Sequence, residues 1–264
     1  MQVFPQLLSG SIAQYPLRKR QLSRTVINQT RDGRTIKFDD PDAAGIEWEL
    51  IFQALTDGEL DTLQQSFSAA EGRLNAFTFL DPTANLLTWS EKLDESIWQG
   101  NTLLQLQPGV PGPAAASATR LINTTAASIA IQQDVNAPGW FVYTFSVYAR
   151  SDTPGNISLF RQAGTAMDER VFPLSANWSR FVSSGSLQTG ADSITIGVTV
   201  GAGQTVDVGG LQLEPQPGAA PYKRSTSSSG VYSDTHFAED AFVITTDAPN
   251  QHHCTVTVTT LASH

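Results

Sequence analysis

Hydrophobic and polar positions alternate along most of this chain, and a period of two marks strands with one buried face. In "IEWELIFQAL", Ile46, Trp48, Leu50 and Phe52 fall on one side, with Trp48 read as a core residue. Upstream, "RTVINQTRDGRTIKF" predicts two short strands around Arg31-Asp32-Gly33, because Asp-Gly between alternating segments favours a hairpin turn. The polar run Asp39–Gly45 predicts a second turn. The period then changes. Thr56 and Glu59 have the spacing of a capping box, and Leu60, Leu63, Phe67 and Ala70 recur at helical intervals. Gly72 stands where a left-handed glycine ends such a helix. "LNAFTFL" predicts a strand returning to the sheet.

From Asn85 the pattern becomes a series of short strand-like segments, after a loop predicted over 108–118, "PGVPGPAAASA". They are "SIAIQQDV", "GWFVYTFSVYARS", "NISLFRQ", "ERVFPLS", "WSRFVSSGSLQ", "SITIGVTVG" and "TVDVGGLQLEP". Such spacing with turn residues between predicts a sandwich. Tyr222–Gly230, "YKRSTSSSG", reads as a flexible polar stretch, and beyond it two strands meet around Ala248-Pro249-Asn250. A lone hairpin is marginal in water, so this one needs a partner, and the N-terminal strands are the obvious choice. Sandwich termini commonly lie close together, which suits insertion into a loop. The expected organisation is therefore a discontinuous domain, 1–84 with 226–264, interrupted by a second domain over 85–225. No repeat of fixed period is found.

Composition narrows the function classes. Of 264 residues 40% are hydrophobic, ample for a core, and only 16% are charged. The net charge is −9, and the largest basic cluster, Leu17–Arg20, is too small for a nucleic-acid groove. The one cysteine, Cys254, excludes an internal disulfide and fits synthesis in a reducing cytoplasm. "MQVFPQLLSG" does not resemble a signal peptide, and no apolar run approaches a membrane span. A soluble chain made inside a cell is expected, with any export by another route such as lysis.

Candidate chemistry is sparse. "NQHHC" (Asn250–Cys254) is the only dense group of metal-type ligands, but His252 and His253 would point to opposite faces of a strand. His264 reads as a solvated terminus. Asp168-Glu169 and Glu239-Asp240 read as solvated acids, and no nucleophile elbow, phosphate loop or metalloprotease helix is present. "GAGQTVDVGG" (Gly201–Gly210) reads as a turn. The expected protein is not an enzyme and has no cofactor. A structural calcium on loop oxygens of Asp134, Asp207 or Glu214 is the one exception considered. Trp89, Trp98, Trp140 and Trp178 could stack on sugar rings or anchor the core, and Trp178 and Trp98 read first as core. The candidate ligand-binding residues are Trp140, Tyr148 and Trp178, with Trp140 the best placed for the surface.

The N-terminal phrases "FP" (Phe4-Pro5), "RT" (Arg24-Thr25), "DGR" (Asp32–Arg34) and "LTDGELDTLQQSFSAAEGRLNAFTFLDP" resemble distal-tail proteins of long-tailed phages and gene transfer agents. The C-terminal "HFAEDAFVITTDAPNQHHCTVTVTTL" is similar to the hairpin closing that domain. The middle phrases "NLLTWSEKLDESIWQ", "YTFSVYARS", "ANWSRF" and "VGGLQLEPQPGAAPYKRS" resemble carbohydrate-binding-module-like jelly-rolls. The resemblance implies a mainly β chain: a tail-tube-like β-sandwich with one flanking helix, carrying an inserted jelly-roll. It implies a virion protein of the tail tip, a homo-oligomeric six-fold ring that meets the tail tube protein and tip hub proteins. The jelly-roll would serve baseplate contacts or host-surface glycans. The rival readings are a carbohydrate-binding adhesin acting through the jelly-roll, and a hydrolase using Asp168 or Glu169.

Overall fold

The computed structural model describes residues 2–113 and 116–261. His264 lies outside them. The chain is mainly β. In order it forms β1 (Leu17–Gln29), β2 (Thr35–Leu55), α1 (Asp57–Ala69), β3 (Phe77–Leu80), β4 (Gln99–Gly100) and β5 (Leu104–Pro111). There follow β6 (Ser117–Asn123), β7 (Ile129–Val135), β8 (Tyr143–Arg150), β9 (Gly155–Ala163), β10 (Ala166–Leu174) and β11 (Ser179–Gly185). The last are β12 (Ile194–Val200), β13 (Thr205–Glu214), β14 (Val231–Phe237), β15 (Ile244–Ala248) and β16 (Gln251–Leu261). Two compact units result. One comprises Met1–Leu8, Ile12–Phe79 and Tyr232–His264; the other comprises Ser9–Ser11 and Leu80–Val231.

The first unit holds one six-stranded sheet in the order β1-β2-β16-β14-β3, with β15 also paired to β16. The C-terminal hairpin thus finds its partner in β2, with Val258 opposite Trp48 and Val256 opposite Leu50. Thr56 and Glu59 form the capping box of α1, each side chain meeting the other's backbone N–H. The left-handed turn after α1 begins at Glu71, one residue before Gly72, and the Gly72 N–H bonds back to the Phe67 carbonyl. Trp48, Leu50, Phe52, Phe77 and Phe79 are fully or almost fully buried, and Phe4, Phe67, Phe77 and Phe237 interlock as an aromatic cluster. Burial pushes the Cys254 thiol up to about 11, so it behaves here as a small apolar side chain.

One expectation fails in this unit. Asp39–Gly45 is not a turn, because β2 runs through it. Leu22 pairs with Gly45 and Arg24 with Asp40, so 41–44 bulge from the ladder. Pro41 has no N–H to give a neighbour, and a bulge accommodates it without ending the strand.

The second unit is a jelly-roll. Its sheets have the orders β10-β9-β12-β7-β4 and β11-β8-β13-β6-β5. Of the eight consecutive strands β6 to β13, β6, β8, β11 and β13 form one four-stranded sheet and β7, β9, β10 and β12 the other. This is the double Greek-key arrangement, with β4 and β5 added at the margins. Phe145, Val147, Leu159, Ile196, Val198, Val208 and Leu213 fill the space between the sheets.

Three readings of this unit change. Of the proline-rich 108–118, residues 108–111 belong to β5 and 117–118 to β6, while 114–115 lie outside the described residues; Pro108 and Pro111 sit on β5, an edge strand, where a missing N–H costs no ladder bond. Gly209 and Gly210 likewise lie within β13 rather than in a turn, and only the preceding glycines turn the chain. The polar stretch read as flexible is pinned. Ser225 N–H donates to Ser90 Oγ at 2.9 Å, and Trp89 N–H to the Thr226 carbonyl at 2.8 Å. The inbound and outbound segments run side by side, with Asp81 N–H on the Gly230 carbonyl and Gly230 N–H on the Asn85 carbonyl, both 2.8 Å.

Candidate functional site

Alternation along β8 turns Phe145, Val147 and Ala149 inward and Thr144, Ser146, Tyr148 and Arg150 to the outer face. β13 and β6 continue that face with Asp207 and Arg120, since Asp207 pairs with Arg150 on one side and Arg120 on the other. The Asp207 carboxylate is buried between two guanidiniums. Arg120 donates Nε to Oδ1 at 2.6 Å and Nη2 to Oδ2 at 3.0 Å, and Arg150 Nη2 lies 2.9 Å from Oδ2. The bond to Asp207 holds the Arg120 guanidinium above its usual pKa. The half-buried Trp178 covers Arg150, with the guanidinium 5.5 Å from the ring centroid. Arg180, opposite Tyr148 on β11, stacks on that ring at the same 5.5 Å.

Glycine makes the aromatic packing possible. Gly210 has φ +59, and a Cβ there would meet the Tyr148 ring at 3.0 Å and Tyr222 at 3.5 Å. The segment after β13 covers one end of the face. Arg180 Nη1 donates to the Ala220 carbonyl at 2.6 Å, Lys223 N–H to Gln212 Oε1 at 2.6 Å, and Ala220 N–H to the buried Glu214 carboxylate. Tyr222 donates toward Glu91 and meets Ser90 Oγ at 2.8 Å, and burial raises its hydroxyl pKa. The other end, with Trp178, Arg150, Asp207 and Arg120, lies outside that cover.

Of the three residues singled out, Tyr148 and Trp178 share this face. Trp140 does not. It precedes β8, whereas Trp178 lies beside the strand's far end, roughly 20 Å away at strand rise. Trp140 is 39% exposed and packs edge-on to Phe141. Trp98 is buried and donates to the Trp89 carbonyl at 3.1 Å, while Trp178 is only half-buried, so the core reading holds for the first alone. The arginines were missed because charge on a strand face reads as solvation. The signal was Arg120 and Arg150 at outward positions with one acid, Asp207, between them on the same face.

The other candidates are dispersed. Asp134 accepts from Thr195 Oγ1 and Gln99 on the opposite sheet, Asp207 lies between its arginines, and Glu214 sits seven residues further along β13. The three carboxylates do not converge, and among the described residues no group of three His, Cys, Asp or Glu is placed to hold a metal ion. His252 bonds Asp57 and Thr246, whereas His253 bonds Asp247, so the two rings turn apart as alternation requires. Asp168 pairs with Arg161, which is buried between the sheets and donates to the Tyr143 carbonyl at 3.0 Å; Glu169 is exposed. Desolvation lowers the Arg161 pKa, with Asp168 opposing it. Asp240 accepts the Arg73 N–H at 3.0 Å.

The first unit presents a different feature. Residues 24–29 of β1 and 35–40 of β2 pair only with each other among the described residues, forming a two-stranded ribbon. Val26 lies opposite Phe38, with Ile36 two residues along the same face, and all three are exposed. The unit's basic residues gather on β1 (Arg18, Lys19, Arg20, Arg24) and on the ribbon turn and start of β2 (Arg31, Arg34, Lys37), where Arg18, Arg20, Arg24 and Arg34 pair with Glu49, Glu47, Asp40 and Asp32; elsewhere the unit has only Arg73 against a majority of acids. No described helix is long and apolar enough to cross a membrane.

No family model matches the chain, and no curated protein matches it. Solved structures do. The enzymatically active domain of bacteriophage CBA120 tailspike protein 4 aligns at 15% identity and TM-score 0.41, covering 52% of this chain and 22% of that one. TmCBM61, solved with β-1,4-galactotriose, aligns at 15% identity and TM-score 0.40 over 49% of this chain and 97% of its own. A xylan-binding domain from CBM 22 aligns at 14% identity and TM-score 0.42, covering 53% and 99%.

Proposed function

We propose that this chain is a non-enzymatic structural protein of a virion, a ring-forming subunit of a phage tail tip whose jelly-roll serves baseplate contacts or surface glycans. The observation that carries this reading is the ribbon of 24–29 and 35–40. A two-stranded hairpin is marginally stable by itself, and this one exposes Val26, Ile36 and Phe38 together. Basic residues gather on β1 and the ribbon turn of a unit that is otherwise acidic, which favours docking on a different patch of a like subunit. Contacts of that head-to-tail kind close into rings when the rotation permits. A six-fold ring against the tail tube and hub proteins is the assembly proposed, in a virion built in a bacterial cytoplasm.

Mass measurement by light scattering, with images of purified particles carrying labelled chain, tests this. The expected result is a ring-sized assembly or label at the tail tip, both lost in the V26D/F38D double variant with circular dichroism unchanged. A strictly monomeric protein absent from particles overturns the reading. The aromatic–guanidinium face favours a second reading, an adhesin acting through the jelly-roll alone. That reading predicts glycan binding by a wild-type chain that does not self-associate.

A further inference from the structure

We propose that Arg120, Arg150 and Trp178 form a cradle for the carboxylate of an acidic saccharide, on the open end of the outer face of β6, β13 and β8. The inference rests on the jelly-roll being a glycan reader and names the class of glycan; it does not depend on ring assembly. Asp207 is the positioning residue. It stands on the central strand, is 3% exposed, and draws in one guanidinium from each neighbouring strand. Arg120 meets it through Nε and Nη2, so the Nη1 amino group is left pointing away from the carboxylate. Arg150 meets it through Nη2, while its Nη1 forms a looser ion pair with the exposed Asp152 at 3.7 Å, too long for a hydrogen bond. Two outward N–H ends therefore flank one buried anion. The side chains of Arg120 and Arg150 remain 32% and 26% exposed. A guanidinium's fixed donors match a carboxylate better than a hydroxyl, and here they are held in place before any ligand arrives.

Trp178 supplies the second half of the recognition. Its ring stacks on Arg150 and is half-buried, leaving indole surface beside the donors. The apolar face of a pyranose suits such a surface. An acidic peptide would use the guanidiniums but gain little from the indole, so the pairing of the two favours a sugar acid. Asp207 and Asp152 together offset the two positive charges, so the cradle attracts a carboxylate through the direction of its N–H donors and not through net charge.

The test is titration of the full chain with oligogalacturonate, oligoguluronate and sialyllactose, each beside its neutral counterpart (methyl ester or desialylated form), and with poly-glutamate. The expected result is that at least one acidic sugar binds about tenfold or more tightly than its neutral form, with affinity falling as salt is raised. Trp178→Ala and Arg120→Gln should each weaken it about tenfold or more, whereas Trp140→Ala should change it less than about twofold. Thermal unfolding of each variant checks the fold; should Arg120→Gln fail it, Trp178→Ala carries the test. Equal binding of acidic and neutral sugars overturns the acidic assignment but leaves a glycan reader. Binding of poly-glutamate as tight as that of any sugar gives the cradle to an acidic protein. No sugar binding at all overturns both the cradle and the glycan-reading role.

Discussion

Asn85 shows how much one side chain can hold. Its amide donates to the Leu211 carbonyl at 2.8 Å and the Lys223 carbonyl at 3.2 Å, while its oxygen accepts from Leu87 and Leu213 N–H. The side chain is buried, so replacing it strands several polar groups away from water. Asn85→Ala should cost about 3 kcal/mol in denaturant unfolding, given the price of unsatisfied buried groups; a loss below about 1 kcal/mol would mean that water takes over its bonds. In the sequence Asn85 marked only a change of composition. Its partners lie 126 and 138 residues away, and no local pattern carries such a link. The arginines of the cradle were hidden for a related reason. Arg120 and Arg150 look like ordinary surface charges until β13 places Asp207 between them.

At the scale of elements, local signals predicted α1 well. The capping box is present with both reciprocal bonds, and Thr56→Ala should destabilise the protein by about 1 kcal/mol in the same unfolding assay. An unchanged midpoint would assign the cap to Asn250, whose Oδ1 accepts the Asp57 N–H at 2.8 Å. The strand segments of the jelly-roll were also legible, because alternation survives burial on one face only. Punctuation misled where an element had room to absorb it. Pro41 falls in a bulge of β2, and Gly109 in a bulge of the edge strand β5 just after the paired Pro108. A proline excludes a ladder bond at one position, not a strand around it.

For the whole molecule the unequal spread of charge has a consequence. Basic residues cluster on β1 and the ribbon turn while the rest of that unit is acidic, so assembly by head-to-tail docking should weaken with salt. Light scattering across a salt series should show smaller assemblies as ionic strength rises; assembly that strengthens with salt would instead assign the contact to Val26, Ile36 and Phe38 alone. The amino-acid order by itself determined the class of the elements: strands from a period of two, one helix from its cap and period, and no disulfide from one cysteine. Those properties depend on residues within a turn or two of each other. Tertiary structure decided which strands are neighbours, which are edges, and hence which aromatics meet a guanidinium. The physical reason is that strand pairing closes long loops, and the free energy that selects one register is shared among contacts far apart in the chain.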